Sequence, residues 1–90
     1  MLVPYSVEFT ERAARVRDSL PAERREMLER GLAILLTDPR HRLSHSVGAD
    51  ESTREVALSR NLFVEYVISD GKVVVLVVTV IDLTDVLIEE

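Results

Sequence analysis

The residues best suited to chemistry in this 90-residue chain are two histidines, His41 and His45, and a scattering of arginines. There is no cysteine, which excludes thiolate nucleophiles, disulfides and sulfur-ligated metals. His41 and His45 stand four positions apart, a spacing that on a helix would put both imidazoles on one face and suit a metal ion. Their segment, RHRLSHSVGADES, has no helical apolar pattern and offers no third ligand at a workable spacing. No metal and no cofactor is therefore expected. The better reading is a pair of exposed loop histidines, with a general acid or base role open to either.

Arg12, Arg15, Arg17, Arg24, Arg25 and Arg30 fall within 19 residues and could be taken for a nucleic-acid face. However, Glu11 and Arg15, Arg25 and Glu29, and Glu26 and Arg30 are spaced i,i+4, as in solvated ion pairs along helices. The net charge of −5 is unevenly placed. Residues 1–64 hold ten basic and ten acidic side chains, whereas residues 65–90 hold Lys72 against Glu65, Asp70, Asp82, Asp85, Glu89 and Glu90. Such a chain has no long-range attraction for phosphate, so direct binding of duplex DNA is not expected.

The elements that must position these groups can be read in order. Ninety residues make one domain, 1–90, burying about 60% of its unfolded surface. Within residues 3–9, Val3, Tyr5, Val7 and Phe9 alternate with Pro4, Ser6 and Glu8, which predicts a short strand at an edge, or with Pro4 among its first residues. Thr10 is placed to cap a helix over ERAARVRDSL, with Ala13, Val16 and Leu20 as its apolar stripe. Pro21 ends that helix and suits the first turn of the next, AERREMLERGLAILLTD, where Met27, Leu28, Gly31, Leu32, Leu35 and Leu36 recur at helical spacing. So short a link predicts an antiparallel helix hairpin, with Gly31 as a point of close approach to the first helix. Asp38-Pro39 then opens a polar stretch without evident structure, long for a compact domain.

Residues 54–81 read as three consecutive antiparallel strands. In 54–59, Val56 and Leu58 face one way and Glu55 and Ala57 the other, before a turn at Ser59-Arg60-Asn61. Next, Leu62, Val64, Tyr66 and Ile68 alternate with Phe63, Glu65, Val67 and Ser69. Asp70-Gly71 signals a two-residue hairpin with positive φ at both central positions. In the strand 72–81, only Thr79 is polar between Val73 and Ile81, so both faces require cover. Val86-Leu87-Ile88 forms a last short apolar segment. The amino terminus has no basic region ahead of an apolar run, and no stretch is long enough to span a bilayer. A cytoplasmic protein without membrane contact is expected.

This order of elements resembles the RelE/ParE superfamily of toxins from bacterial type II toxin–antitoxin systems. The resemblance rests on Tyr5-Ser6-Val7-Glu8-Phe9 before the first helix and on Leu36-Thr37-Asp38-Pro39 closing the second. It rests most on the run Val64-Glu65-Tyr66-Val67-Ile68-Ser69-Asp70-Gly71-Lys72-Val73-Val74-Val75-Leu76, which is similar to the family's tyrosine strand, hairpin and apolar following strand. It implies an α+β fold: an N-terminal strand, an antiparallel helix hairpin and a three-strand antiparallel meander in one curved sheet, with the helices on one face. It also implies a toxin with a cognate antitoxin partner. In the ribonuclease branch the activity is that of a metal-independent endoribonuclease, an mRNA interferase acting on message in the ribosome.

That chemistry needs cations at the scissile phosphate and a group to move the 2′-hydroxyl proton. The resemblance would place a catalytic arginine where this chain has Phe63, and basic residues where it has Glu55 and Ala57. Asp82, Leu83, Thr84 and Asp85 stand in a region that is basic in the family. Arg54 and Arg60 are the remaining catalytic candidates for phosphate contact, with His41 and His45, beside Arg40 and Arg42, reaching in from the loop. The other reading of Arg54 and Arg60 is as charged strand ends that blunt an edge. Glu55, Ala57, Phe63, Glu65 and Val67 form an apolar and acidic face suited to binding a partner. The alternative function is thus a non-enzymatic module, including a gyrase inhibitor of the ParE type, or a chain pairing with itself as a homodimer. Tyr66, on the helix side, is expected in the core with a buried partner for its hydroxyl.

Overall fold

Thr10 both ends the first strand and starts the first helix, because its hydroxyl accepts the Ala13 N–H at 3.1 Å as an N-cap should. The same hydroxyl donates to the Val78 carbonyl at 3.2 Å, which ties the helix start to the last strand. The computed structural model describes residues 4–48 and 50–83, apart from the side chains of residues 50 and 51. The elements are β1 (Ser6–Phe9), α1 (Glu11–Ser19), α2 (Ala22–Thr37), β2 (His45–Val47), β3 (Asp50–Ser59), β4 (Leu62–Ser69) and β5 (Val74–Asp82). The apolar segment 86–88 lies outside the described residues.

The strands form one sheet in the order β1-β5-β4-β3-β2. β1 runs parallel to β5, and every other neighbouring pair is antiparallel. The fold is therefore the expected α+β arrangement with its meander, but with five strands, since the segment read as an unstructured loop holds β2 and the start of β3. Three residues are too few to show a period-2 pattern, and β2 exists because β3 offers an edge to pair with. β1 is the other edge, where Pro4 is tolerated just ahead of the strand.

Both helices lie on one face of the sheet. Pro21 caps α2 just ahead of its first turn, and its carbonyl accepts the Arg25 N–H at 2.9 Å. Leu28, Leu32 and Leu35 of α2, with Ala13 and Leu20, bury against Val56, Leu62, Val64, Tyr66, Ile68, Val75, Val77 and Val80 of the sheet. Each fully buried aliphatic side chain of this kind contributes about 1.5–3 kcal/mol. The Arg17 guanidinium sits 4.5 Å from the centre of the Phe9 ring, so a cation–π contact closes the α1 end of this layer.

Three local expectations are corrected. Gly31 meets the sheet rather than α1: a Cβ there would stand 2.6 Å from Leu58 Cδ2, so the missing side chain lets β3 approach α2. Leu58 faces the helices with Val56 by the strand's own alternation, and the ladder bulges at this point, Ala57 pairing with Phe63 and Ser59 with Leu62. The Asp70-Gly71 hairpin is not a two-residue turn. Residues 70–73 form the loop, with Val73 N–H bonded to the Asp70 carbonyl at 3.3 Å, and the positive φ falls on Val73, at 57°. Arg25, finally, donates to the carbonyls of Asp18 and Leu20 at the helix junction, whereas the i,i+4 pairs Glu11–Arg15 and Glu26–Arg30 form as expected.

Candidate functional site

The pairing registers decide which side chains share the face away from the helices. His45, Glu55, Glu65 and Thr79 make one row across β2, β3, β4 and β5. Ala57, Phe63 and Ile81 make the next. On the other side, Thr53, Val67, Leu76 and Glu8 continue the pattern to β1. A second bulge, at Val78 between the pairs Tyr66–Val77 and Glu65–Thr79, keeps Val77 and Val80 both in the core. No element among the described residues covers this open face. Its middle row carries two carboxylates facing each other on adjacent strands, flanked by apolar side chains on either side, an arrangement that destabilises unless a cation intervenes.

All eleven lysine and arginine residues lie elsewhere: on the helices, in the loop after α2, at the two hairpin turns, or on the helix-facing side of β3. Arg54 is that last case, paired across the sheet with Tyr66. Its guanidinium donates to the Ser44 hydroxyl at 2.8 Å and the Ser44 carbonyl at 3.1 Å, so it staples the loop to the sheet. Arg60 is exposed in the β3–β4 turn, about 20 Å along the strand from Arg54. His41 accepts the Leu43 N–H on Nδ1 at 3.1 Å and sits beside α2. Only His45 of the four reaches the open face, where its Nε2 lies 3.3 Å from Glu55 Oε1. The four candidates thus occupy separate places, while Glu55, Ala57, Phe63, Glu65 and Val67 share one.

A second cluster escaped the sequence because its members are 30 and 65 residues apart. Tyr5 donates to Asp70 Oδ1 at 2.7 Å, and Arg40 donates to both Asp70 oxygens, at 3.4 and 3.0 Å. These hydrogen bonds, that from Arg40 foremost, hold the Asp70 carboxyl below the usual range. The bond to Asp70 in turn raises the Tyr5 phenol, with burial adding to it. Tyr66, as expected, finds a buried partner, donating to the Pro39 carbonyl at 2.6 Å. The loop from Pro39 to Ser44 is therefore pinned at Pro39, Arg40 and Ser44. Asp82, at the end of β5, is held by Arg24 at 2.7 Å with both side chains largely buried.

Chemically, His45 and Glu55 stand within reach of a shared proton, but no arginine or lysine belongs to the open face, and carboxylates there repel a phosphate. No group of three or more metal-ligating side chains converges among the described residues. None of the helices is long and apolar enough to cross a membrane.

Among solved structures, a chain of the intact E. coli RelBE toxin–antitoxin complex matches with a TM-score of 0.75 and 28% identity, over 87% of this chain and 95% of that one. The isolated E. coli RelE toxin gives 0.76 and 28%, over 87% and 83%. A RelE–RelB complex from Pyrococcus horikoshii gives 0.70 and 16%, over 89% and 96%, and speaks for the fold alone. No family model and no curated protein matches the chain.

Proposed function

We propose that this chain, a member of the RelE/ParE toxin superfamily, is the toxin of a toxin–antitoxin pair and acts by binding through its open sheet face rather than by cutting RNA. The observation that carries the second half is the row Glu55–Glu65 on a face to which no arginine or lysine side chain belongs. Phosphoryl chemistry on RNA without a metal depends on such cations. Apolar side chains at Phe63, Val67 and Leu76 instead suit contact with a protein surface, and a cognate antitoxin would cover the same face. Binding dominated by burial of apolar area depends weakly on salt.

Induced expression tests this. The expected result is slowed growth with ribosome-bound message left intact, and a supercoiling assay then asks whether gyrase is the target. Unaffected growth would sink the toxin reading. Cleaved message would favour the second reading, an mRNA interferase in which His45 and Glu55 move the proton. His45→Ala and Glu55→Ala would then abolish cleavage, each separately.

A further inference from the structure

The acidic residues of the open face are kept apart from the cations of this chain. Glu55 and Glu65 stand directly opposite on β3 and β4, where Cβ atoms lie about 5 Å apart, and Glu8 ends the next row on β1. His45 reaches Glu55 from β2, on the side away from Glu65, at 3.3 Å. A charged imidazole there answers one carboxylate, and no basic side chain among the described residues contacts Glu65. Both glutamates are half-buried, so their repulsion is screened less than it would be between fully exposed side chains.

The rows on either side are apolar. Phe63 and Ala57, with Ile81, lie about 7 Å from the glutamates along the strands in one direction, and Val67 and Leu76 lie as far in the other,. Ile81 is 37% exposed, and no described element covers it. A partner that fits this surface brings apolar side chains to the outer rows and a cation to the middle one. Arginine suits the middle row better than lysine. Its planar guanidinium donates in several directions at once, so that it can bridge two carboxylates, and it is more weakly hydrated than an ammonium. The Phe63 ring, one row along β4, adds an aromatic surface of the kind on which guanidinium groups stack. A metal ion fits less well, since no group of three or more ligating side chains converges among the described residues. Two copies of the chain pairing through this face would set the same carboxylates against one another.

From these features we infer that the open face selects a protein segment in which one arginine is flanked by aliphatic side chains, the arginine entering between Glu55 and Glu65. In a helical segment, aliphatic residues at i−4 and i+4 stand about 6 Å to either side of the arginine, close to the spacing of the rows. The inference rests on the proposed reading of this face as a binding surface and adds the chemistry of what binds. An ion pair enclosed by apolar side chains is screened little by salt, which preserves the weak salt dependence stated above.

The test uses the full chain, isotopically labelled, and three stapled helical peptides. All carry leucine at i−4 and i+4, and they differ at i, which is arginine, norleucine or glutamate. The arginine peptide is expected to shift the methyl resonances of Val67, Leu76 and Ile81 saturably and to bind at least about tenfold more tightly than the norleucine peptide. The glutamate peptide should bind more weakly still. Glu65→Gln should remove most of the preference for arginine, and Glu65→Arg should reverse it in favour of glutamate. Neither substitution should lower the unfolding midpoint, which shows that the fold is retained. Four results would overturn the inference: no saturable shift, equal binding of the arginine and norleucine peptides, an arginine preference that survives Glu55→Gln and Glu65→Gln together, or shifts centred on Ile34 and Leu43. Equal binding of all three peptides at Val67 and Leu76 would remove the selectivity and leave the face a binding surface. Unaffected growth on induced expression would remove the toxin reading and leave the peptide result standing.

Discussion

The two faces of the sheet are built from the same strands and differ in what one substitution can do. Along β4, Leu62, Val64, Tyr66 and Ile68 are buried under the helices, while Phe63, Glu65, Val67 and Ser69 are half-buried on the other side. On the covered face the buried Tyr66 hydroxyl is matched by the Pro39 carbonyl. On the open face two carboxylates stand opposite each other, which stability alone would not favour. The covered side is thus organised for folding, and the open side carries two facing carboxylates of which Glu55 also touches His45.

The sharpest way to break this comparison is a buried charge. Val75→Asp or Val77→Asp should unfold the domain, since an unpaired charge in the core costs several kcal/mol against a total of about 5–15. Val67→Asp, one strand over on the open face, should leave it folded. Circular dichroism during thermal unfolding distinguishes the outcomes, and equal damage from both would show that the open face is also core. Tyr66→Phe should cost about 1–3 kcal/mol by orphaning the buried Pro39 carbonyl, read as a lower urea midpoint with unchanged slope.

Smaller effects probe the open face and the hairpin that sets both registers. Val73 holds a β-branched side chain at φ 57°, where a residue with Cβ is strained by about 1–2 kcal/mol. Val73→Gly should therefore stabilise the chain, by about 1 kcal/mol at most once glycine's greater freedom in the unfolded state is counted. Glu65→Lys should add about 0.2–1 kcal/mol by turning the repulsion with Glu55 into attraction. A loss of stability there would mean that Glu55 already has its cation in His45.

Acid provides the mildest test. Asp70 has a depressed pKa in the folded chain because Arg40 and Tyr5 bond to its charged form. Its contribution is therefore present above the unfolded value of 3.8 and is lost as pH falls through the lower folded value. Between about pH 5 and pH 2 the unaltered chain should lose more stability than Asp70→Asn. Parallel curves would show that the Tyr5–Asp70–Arg40 clasp adds nothing to folding.

The sequence by itself determined the helix hairpin, the meander, the inward side of β4 and the set Glu55, Ala57, Phe63, Glu65 and Val67. Each is encoded locally, by a cap such as Thr10, a proline, or a period of two or about 3.6 residues. Tertiary structure decided the rest, because it depends on partners far along the chain. β2 exists only against β3, and Gly31 has its meaning only under Leu58, a residue of β3 far along the chain. Arg54 looked like a cation for phosphate, yet it faces the helices and holds Ser44. Asp70 read as a turn residue, yet it gathers Tyr5 and Arg40. Period and capping are properties of a few consecutive residues, whereas a guanidinium's partner is settled by which strands pair and in which register.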